Sequence, residues 1–222
     1  MIELKNINKI YNTNKDEKLY ALKDINMNIT KGELIILKGE SGSGKSTILS
    51  LIASLLHPSS GEVIVNDIKV SKLSDDFSSK YRQKNIGFIF QKHNLIYNLS
   101  SSDNILIPMI PLNLKEKIIK EKLEDTMNIF NISHKKDILV RNLSGGEQQR
   151  IAISRAMINN PDIVLADEPT ASLDEKLSLD FIDILKKLQI IGKTIIIATH
   201  DPLFFNLDFP NRIINIKNGK IV

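Results

Sequence analysis

Residues 39–47 combine glycine, lysine and hydroxyl side chains at a spacing that suits phosphate binding. They read G-E-S-G-S-G-K-S-T and follow four apolar residues that predict a buried strand. Backbone amides of such a loop can converge on phosphate, and the helix that follows adds its positive end. Lys45 would reach the terminal phosphates, and the Ser46 hydroxyl would ligate magnesium. The predicted phosphate-binding residues are Gly39, Glu40, Ser41, Gly42, Ser43, Gly44, Lys45, Ser46 and Thr47.

Two neighbouring carboxylates follow a second expected strand. Residues 163–166 are apolar, and Asp167 and Glu168 come directly after them. Asp167 suits a magnesium contact, commonly through water, and Glu168 suits orienting or deprotonating a water that attacks the γ-phosphate. Two buried acids without a cation would be costly, so the pair predicts a metal-binding and a catalytic role.

Two further polar residues follow apolar runs at 86–90 and 194–198. Gln91 comes after the first run, and His200, behind Thr199, comes after the second. Ligands of nucleotide-binding α/β sheets collect at the carboxyl ends of the strands. We therefore expect Gln91 to meet magnesium and the attacking water, and His200 to face the same phosphates. The simpler alternatives are that Gln91 is only a polar residue where the chain leaves the core, and that His200, like most lone histidines, is structural.

A second helix start with glycines occurs at 143–150, which reads L-S-G-G-E-Q-Q-R. Ser144 is a suitable cap, and two glycines bare the helix start, which favours anion binding. One such start could be an ordinary capping box. Because the chain already has a phosphate loop, we expect this second start to serve the nucleotide of another subunit. Its candidate contacts are Ser144, Gly145, Gly146 and Glu147.

The elements that position these residues alternate between strand and helix patterns. Residues 2–10 predict edge strands, a polar loop follows at 12–18, and 21–29 predict another half-buried strand. Tyr11 ends the first strand, where its ring could stack on a base, although such a tyrosine is more often a surface or core residue. The helix after Lys45 is predicted to stop at His57, before a proline.

The pattern changes between residues 92 and 160. Strand-like runs disappear, and 114–130 has helical spacing of its apolar residues. The chain is therefore predicted to be one domain, with a nucleotide-binding α/β core and β subdomain at 1–91 and 160–222. Residues 92–159 are predicted to form an inserted helical subdomain. Its stretch 94–112, rich in Ile and Leu, could dock a partner.

Composition narrows the class of protein. The 222 residues include 42% hydrophobic and 25% charged residues, a composition that does not indicate disorder. No apolar run approaches the ~20 residues needed to cross a bilayer, and no signal peptide is evident, so a cytoplasmic location is expected. The absence of cysteine excludes disulfides and thiolate metal sites. The net charge of +4 is scattered, so no nucleic-acid partner is expected.

The ordered set of motifs resembles that of ABC transporter ATPase subunits. The set comprises the phosphate loop, Gln91, L-S-G-G-E-Q-Q-R, I-V-L-A-D-E-P-T, Ser172-Leu173-Asp174 and A-T-H-D. It covers nearly the whole chain, and the combination is far more specific than any member. The resemblance implies an α/β fold: a P-loop NTPase (RecA-like) core with an antiparallel β subdomain and an inserted α-helical subdomain.

The resemblance also implies a role for each motif. Tyr11 would stack on adenine, Gln91 would link the nucleotide to a membrane partner, and His200 would contact the γ-phosphate. The 144–147 segment would complete the site of an opposing subunit, and Asp174 would couple the two sites. The implied cofactors are ATP and Mg²⁺, with two copies of the chain sandwiching two nucleotides. Separate permease subunits would hold the dimer peripherally at the inner face of the cell membrane.

Several segments resemble the lipoprotein-release, macrolide-export and cell-division group (LolD, MacB and FtsE types). They include Y-A-L-K-D-I-N, I-G-F-I-F-Q-K-H-N-L-I and D-N-I-L-I-P-M. The implied function is a motor subunit that drives a separate permease. Two alternatives stay open: a cell-division-type ATPase that signals mechanically and transports nothing, and an amino-acid-type importer ATPase. A DNA-repair or ribosome-associated ATPase is disfavoured, because the coiled-coil or cysteine-zinc insertions and the paired ATPase units of those relatives are not seen.

Overall fold

The computed structural model describes residues 1–14, 17–171 and 173–222. The strands are β1 (Ile2–Asn14), β2 (Glu17–Ile29), β3 (Leu34–Lys38), β4 (Ser60–Val65), β5 (Ile68–Lys69), β6 (Ile86–Ile89), β7 (Ile163–Asp167), β8 (Thr194–Thr199), β9 (Arg212–Lys217) and β10 (Lys220–Ile221). The α helices are α1 (Lys45–Ile52), α2 (Asp75–Asn85), α3 (Ser101–Leu106), α4 (Glu116–Ile129), α5 (Gly145–Met157) and α6 (Glu175–Ile190). Short 3-10 turns lie at Val70–Lys72, Ile107–Leu112, Ser133–Lys135, Val140–Asn142 and Pro202–Phe204.

The larger sheet has the strand order β10-β9-β3-β8-β7-β6. β3 runs parallel to both β8 and β9, and β7 runs parallel to β6 and β8. Alternate residues of β3 enter two apolar clusters: Ile35 and Leu37 pack in the cluster that contains α1, whereas Leu34 and Ile36 pack in the one that contains α6. Because both faces are covered, the central strands are continuous apolar runs. Their carboxyl ends lie along one edge, where the predicted site residues follow.

The smaller sheet is antiparallel, with the order β2-β1-β4-β5. The prediction of edge strands at the start of the chain was wrong for β1, which pairs with β2 on one side and with β4 on the other. The predicted loop at 12–18 is shorter, since β1 continues to Asn14 and β2 begins at Glu17. Backbone pairing, such as Asn12 with Lys18, extends the hairpin into polar sequence. Residues 15 and 16 of that loop lie outside the described part.

Helices α3, α4 and α5 have an apolar cluster of their own, separate from the two clusters of the larger sheet. It consists of Leu95, Ile105, Met109, Leu123, Met127, Ile132, Val140, Leu143, Ile151, Ala152 and Ile158. A capping box of Ser100 and Asp103 starts α3, and Leu123 and Met127 are buried one helical turn apart on α4. This helical layer carries the second glycine-bearing helix start at its edge.

Helix α1 ends at Ile52, well before the predicted stop at His57. Ser54 adopts a φ of +50°, and the amide N–H of Leu55 returns to the carbonyl of Ser50 at 2.9 Å, which turns the chain. Leu55 is 45% exposed. The apolar run therefore continues past the helix, so hydrophobic periodicity alone placed the end too late.

Candidate active site

The phosphate loop joins β3 to α1 with a geometry that requires glycine at two positions. Gly44, the N-cap of α1, has a φ of +111°, and a Cβ there would lie 2.7 Å from the carbonyl oxygen of Ala21. A Cβ on Gly39 would collide with the carbonyl oxygen of Ile216. Among the described residues, no side-chain hydrogen bond caps the start of α1. The first amides of this helix are therefore available to an anion in the loop.

Lys45 is buried inside the loop with only 4% of its surface exposed. Its Nζ donates to the carbonyl oxygens of Gly39 and Glu40 at 2.7 and 3.1 Å. The same Nζ lies 3.2 Å from Oε1 of Glu168. These contacts fix the ammonium group in the loop, which places a positive charge where the predicted phosphates would bind.

Ser46 and Asp167 form an oxygen donor pair beside the loop. The Ser46 hydroxyl donates to Oδ1 of Asp167 at 2.8 Å, and this links α1 to the end of β7. Burial raises the pKa of Asp167, the hydrogen bond from Ser46 opposes that rise, and the neighbouring Glu168 carboxylate adds to it. A hydroxyl and a carboxylate suit a hard divalent cation, whose charge would favour the ionised aspartate.

Glu168 is held on a backbone conformation that is rare for its residue type. Its φ is +44°, which costs a non-glycine residue about 1–2 kcal/mol. The backbone N–H donates to the carbonyl oxygen of Ala198 on β8 at 2.8 Å. A strained residue held by its neighbours is typical of functional sites.

The Glu168 carboxylate is hydrogen-bonded at both oxygens. Oε1 contacts Nδ1 of His200 at 2.9 Å, and Oε2 accepts from the Thr199 hydroxyl at 3.1 Å and from the backbone N–H of His200 at 3.3 Å. Burial raises the pKa of Glu168, but the hydrogen bonds from His200 and Lys45 outweigh it, so the pKa is lowered. The carboxylate is therefore ionised near neutral pH and able to accept a hydrogen bond from water.

A cavity of about 210 Å³ brings the expected groups together. Its lining consists of Ala21, Ser41, Gly42, Ser43, Gly44, Lys45, Ser46, Thr47, Gln91, Glu168 and His200. Gln91 and His200 are exposed at its rim. The strand ends of β6, β7 and β8 thus supply an amide, a carboxylate and an imidazole to the space in front of the phosphate loop.

Tyr11 does not line this cavity, and neither do Gly39, Glu40 and Asp167, which lie one or two positions in sequence from residues that do. Tyr11 lies on β1 opposite Leu19 and is 38% exposed, with Nζ of Lys9 at 5.1 Å from the ring centroid. Tyr20, on the neighbouring strand β2, is also exposed and pairs with Ile10. Ala21, the next residue on β2, does line the cavity. The hairpin therefore carries two exposed tyrosines close in sequence to the wall of the cavity.

The second group of predicted residues lies at the starts of α5 and α6, outside the phosphate-loop cavity. Ser144 and Glu147 form a reciprocal capping box, in which the Ser144 N–H donates to Oε2 of Glu147 at 2.8 Å. Gly145 is exposed, whereas Gly146 is buried, and a Cβ there would collide with the side chain of Leu177 on α6. Asp174 caps α6 by accepting from the Leu177 N–H at 2.9 Å. Ser172, in the same motif, lies outside the described residues.

Two polar contacts of α5 escaped the sequence patterns. The buried Gln149 donates to the carbonyl oxygen of Pro169 at 2.7 Å, which ties α5 to the loop after β7. Arg155 donates to the carbonyl oxygen of Asn94 at 2.6 Å, and this links α5 to the segment that follows Gln91. Each is a polar residue within a helix whose apolar residues are periodic. That pattern is the only feature of the sequence that could have drawn attention to them.

The chain matches known proteins over its whole length. The ABC transporter family model matches residues 22–171. An uncharacterized ABC transporter ATP-binding protein of Methanocaldococcus jannaschii, MJ0796, is 41% identical over 227 residues, which cover 100% of this chain and 95% of that protein. The macrolide export ATP-binding/permease protein MacB of Campylobacter jejuni is 39% identical over 222 residues, and the chain spans only 34% of its length.

A solved structure agrees with the predicted fold. The dimeric post-hydrolysis state of the MJ0796 cassette bound to ADP and Pi superposes with a TM-score of 0.90 at 39% identity, covering 100% of this chain and 96% of that one. This confirms the predicted P-loop fold class with its two subdomains. Together with the cavity at the strand ends, these matches show that the chain belongs to the ABC transporter family, as an ATPase subunit of the ATP-binding cassette type.

Proposed function

We propose that the chain is the ATP-hydrolysing motor subunit of a membrane transporter, acting as a homodimer that drives separate permease subunits. The observation that carries this proposal is the Glu168 carboxylate, ionised and held between Lys45 and His200 in the phosphate-loop cavity. The macrolide-export relative MacB supports the lipoprotein-release and export group. Because the Glu168 carboxylate can accept a hydrogen bond or a proton from water, ATP bound by this chain would be hydrolysed and not merely bound.

The phosphate loop would bind the nucleotide through residues 39–47. Its backbone amides and the uncapped start of α1 would hold the α- and β-phosphates, and Lys45 would exchange its carbonyl and Glu168 contacts for the terminal phosphates. Tyr11 would stack on the adenine from the β1–β2 hairpin, since it is exposed on the strand next to the one that carries Ala21.

Ser46, Asp167 and Gln91 would hold Mg²⁺. The hydrogen bond between Ser46 and Asp167 already brings two oxygen ligands together. Gln91 lines the phosphate-loop cavity, as Ser46 does. No cluster of three or more acidic or histidine side chains that could hold a metal occurs among the described residues, so the expected set is hydroxyl, amide and carboxylate. Bound magnesium would neutralise charge on the phosphate oxygens.

Glu168 would orient, or accept a proton from, the water that attacks the γ-phosphate. His200 is 61% exposed at its side chain and contacts Oε1 of Glu168 at 2.9 Å, so it would steady this carboxylate while facing the γ-phosphate. Gln91, which lines the same cavity, would also contact this water. General-base help of this kind contributes a factor of ~10²–10⁴ in rate.

The starts of α5 and α6 would complete the site of a second copy of the chain. Ser144 and Gly145 are exposed and lie outside their own subunit's phosphate cavity, which leaves them available to a partner's nucleotide. Gly146 and Glu147 would set the shape and charge of this helix start, and Asp174 would couple the two sites. The dimeric state of the MJ0796 cassette supports a dimer of this chain.

The permease subunits would dock where the helical layer meets the larger sheet. A cavity of about 330 Å³ there is lined by apolar and polar residues that include Phe88, Phe90, Asn94, Pro108, Arg155 and Asn159. Gln91 directly follows Phe90, so a docked segment could bias its position. No helix in the described residues is long and apolar enough to cross a bilayer. We therefore propose a peripheral position at the cytoplasmic face of the cell membrane.

This division of labour follows the proposed subdomains. Residues 1–91 and 160–222 would form the nucleotide-binding core with its β subdomain, and 92–159 would form the helical subdomain that carries the 143–150 motif. The apolar cluster of the helical layer supports these limits, because it contains only residues from 92–159. Phe130, Ile153 and Met157 of the same segment pack in the sheet cluster that contains α6, and so join the two parts.

The test compares Glu168→Gln with Glu124→Gln, an exposed glutamate on α4. We expect Glu168→Gln to bind MgATP with normal affinity, to hydrolyse it ~10²–10⁴-fold more slowly and to dimerise with ATP in sedimentation. Glu124→Gln should behave as the unaltered chain. Normal hydrolysis by Glu168→Gln, or a monomer at saturating ATP, would contradict the proposal.

Isolation of ATP-bound Glu168→Gln from detergent-solubilised membranes then identifies the class of complex. A partner with few membrane spans and a large extracytoplasmic domain is expected. A many-spanning permease with a solute-binding protein would instead indicate an importer. A partner that carries no substrate would indicate mechanical signalling.

A further inference from the structure

Thr199 lies behind the catalytic glutamate, at the end of β8. It is fully buried, with 0% of its surface exposed, and does not line the phosphate-loop cavity. Its hydroxyl nevertheless reaches Oε2 of Glu168 at 3.1 Å. A contact of this kind would act on the carboxylate from the protein side, whereas Lys45 and His200 approach it from the cavity.

The direction of the Thr199 hydrogen bond is fixed by a second contact. The backbone N–H of Asp201 donates to Oγ1 of Thr199 at 3.0 Å, and an N–H cannot accept. The single hydroxyl proton of Thr199 is therefore left to point at Glu168. Asp201 is held in turn, since the Thr170 hydroxyl donates to its Oδ2 at 2.7 Å.

Glu168 needs such support because its backbone is strained. Its φ is +44°, and its N–H donates to the Ala198 carbonyl oxygen, so its backbone is bonded to β8. The side chain is fastened to the next residue of the same strand, Thr199. Lys45 would be drawn to phosphate during turnover, and His200 would face the γ-phosphate as well as Glu168, whereas the Thr199 hydroxyl would donate to Glu168 alone.

We propose that Thr199 is a positioning residue that orients the Glu168 carboxylate towards the attacking water, through the fixed hydrogen bond between its Oγ1 and Oε2. This inference rests on the proposed role of Glu168. It assigns no contact with the nucleotide to Thr199, so its loss should change the rate of hydrolysis and leave ATP binding alone.

The test replaces Thr199 by valine, which keeps the shape of the side chain and removes the hydroxyl. We expect Thr199→Val to lower kcat about tenfold with KM for MgATP changed less than twofold, as for the loss of one hydrogen bond to a charged group. Thr199→Ser restores the hydroxyl and should recover most of kcat. A kcat for Thr199→Val within twofold of the unaltered chain would overturn the proposal.

Thr194→Val is the matched control. Thr194 is equally buried on the same strand, and its hydroxyl also accepts from a backbone N–H, that of Gly32 at 2.9 Å, but it lies at the opposite end of β8. It should lower stability without changing kcat. If Thr194→Val reduced kcat as much as Thr199→Val, the effect would be general destabilisation, and the proposal would fail.

Two further variants keep the result unambiguous. If Thr199→Val does not fold, Thr199→Ala removes the same hydroxyl and is judged by the same kcat and KM criteria. Glu168→Gln, measured in parallel, separates the two ideas. Slow hydrolysis by Glu168→Gln together with normal hydrolysis by Thr199→Val or Thr199→Ala would refute only the positioning role. Normal hydrolysis by Glu168→Gln would refute the proposed function itself.

Discussion

Helices α1 and α5 both have glycine at their starts, yet their first turns are satisfied in different ways. α1 starts after Gly44, with no side-chain cap and no acidic residue in its first turn. α5 starts after Ser144, and Glu147 in its first turn returns a carboxylate to the cap. A carboxylate at a helix start occupies the same positive end that an added anion would use.

In the proposed function, the difference separates a complete phosphate site from an incomplete one. The start of α1 lies in a cavity with Lys45 and the strand-end residues, so one chain would suffice to bind phosphate there. The start of α5 has already taken up its own carboxylate and presents only the exposed Ser144 and Gly145 outward. A helix start with glycines can thus bind an added anion by itself only when no carboxylate of the same chain already accepts hydrogen bonds there.

The largest expected effect comes from removing the charge that completes the α1 site. Lys45→Met should raise the Kd for MgATP about 10- to 150-fold, because a hydrogen bond to a charged group contributes about 1.5–3 kcal/mol. Calorimetric titration measures this, with Lys117→Met on the exposed face of α4 as control. An unchanged Kd would mean that the loop backbone alone binds the phosphates.

Removing the cap of α5 should change the hydrolysis rate and not the Kd for ATP. Ser144→Ala should lower the hydrolysis rate about tenfold, since one hydrogen bond to the partner's nucleotide is lost, while the Kd of the monomer for ATP stays the same. Ser100→Ala is a matched control, because Ser100 starts α3 with the same kind of capping box. Equal losses of activity in the two variants would assign the effect to helix stability.

Tyr11→Ala sharpens the comparison from the adenine side. Loss of stacking should raise the Kd for ATP about 2- to 12-fold, for a contribution of ~0.5–1.5 kcal/mol. Tyr20→Ala, on the facing strand, should leave the Kd unchanged. The reverse result in equilibrium titrations would move the stacking role to Tyr20.

The smallest effect concerns the carboxylate of the α5 cap. The backbone N–H of Ser144, followed by Lys135, holds the pKa of Glu147 below its ordinary value. The ionised Glu147 therefore stabilises the folded chain above the unfolded-state pKa, and this stabilisation is lost as the pH falls through the folded-state pKa. Glu147→Gln should lower Tm by about 2 °C near pH 7 and by less near pH 3. A Tm difference between Glu147→Gln and the unaltered chain that is the same at both pH values would mean that the effect comes from packing.

The sequence was most informative where burial dictates composition. The apolar runs that became β3, β7 and β8 are covered on both faces, so their ends, and therefore the places of Asp167 and His200, could be predicted closely. The expected gathering of Gln91, Glu168 and His200 at one edge follows from parallel pairing. That inference needed only the order of the motifs along the chain.

Features that depend on tertiary contacts could not be predicted in this way. Glu168 adopts a positive φ where it bonds to Ala198, thirty residues further along the chain. The length of the β1–β2 hairpin depends on backbone pairing through polar residues. The occupation of the α5 start by Glu147 depends on a side-chain rotamer, which the sequence motif permits but does not require.

The phosphate loop near the beginning of the chain is closed by residues near its end. The N–H of Gly219 donates to the Ser43 carbonyl at 2.9 Å, Gly39 packs against the backbone of Ile216, and β3 pairs with β9. During synthesis, residues 39–47 therefore leave the ribosome long before their supports exist. Nucleotide affinity should arise only when β9 and β10 have emerged, so a nascent chain stalled earlier would be unable to retain ATP.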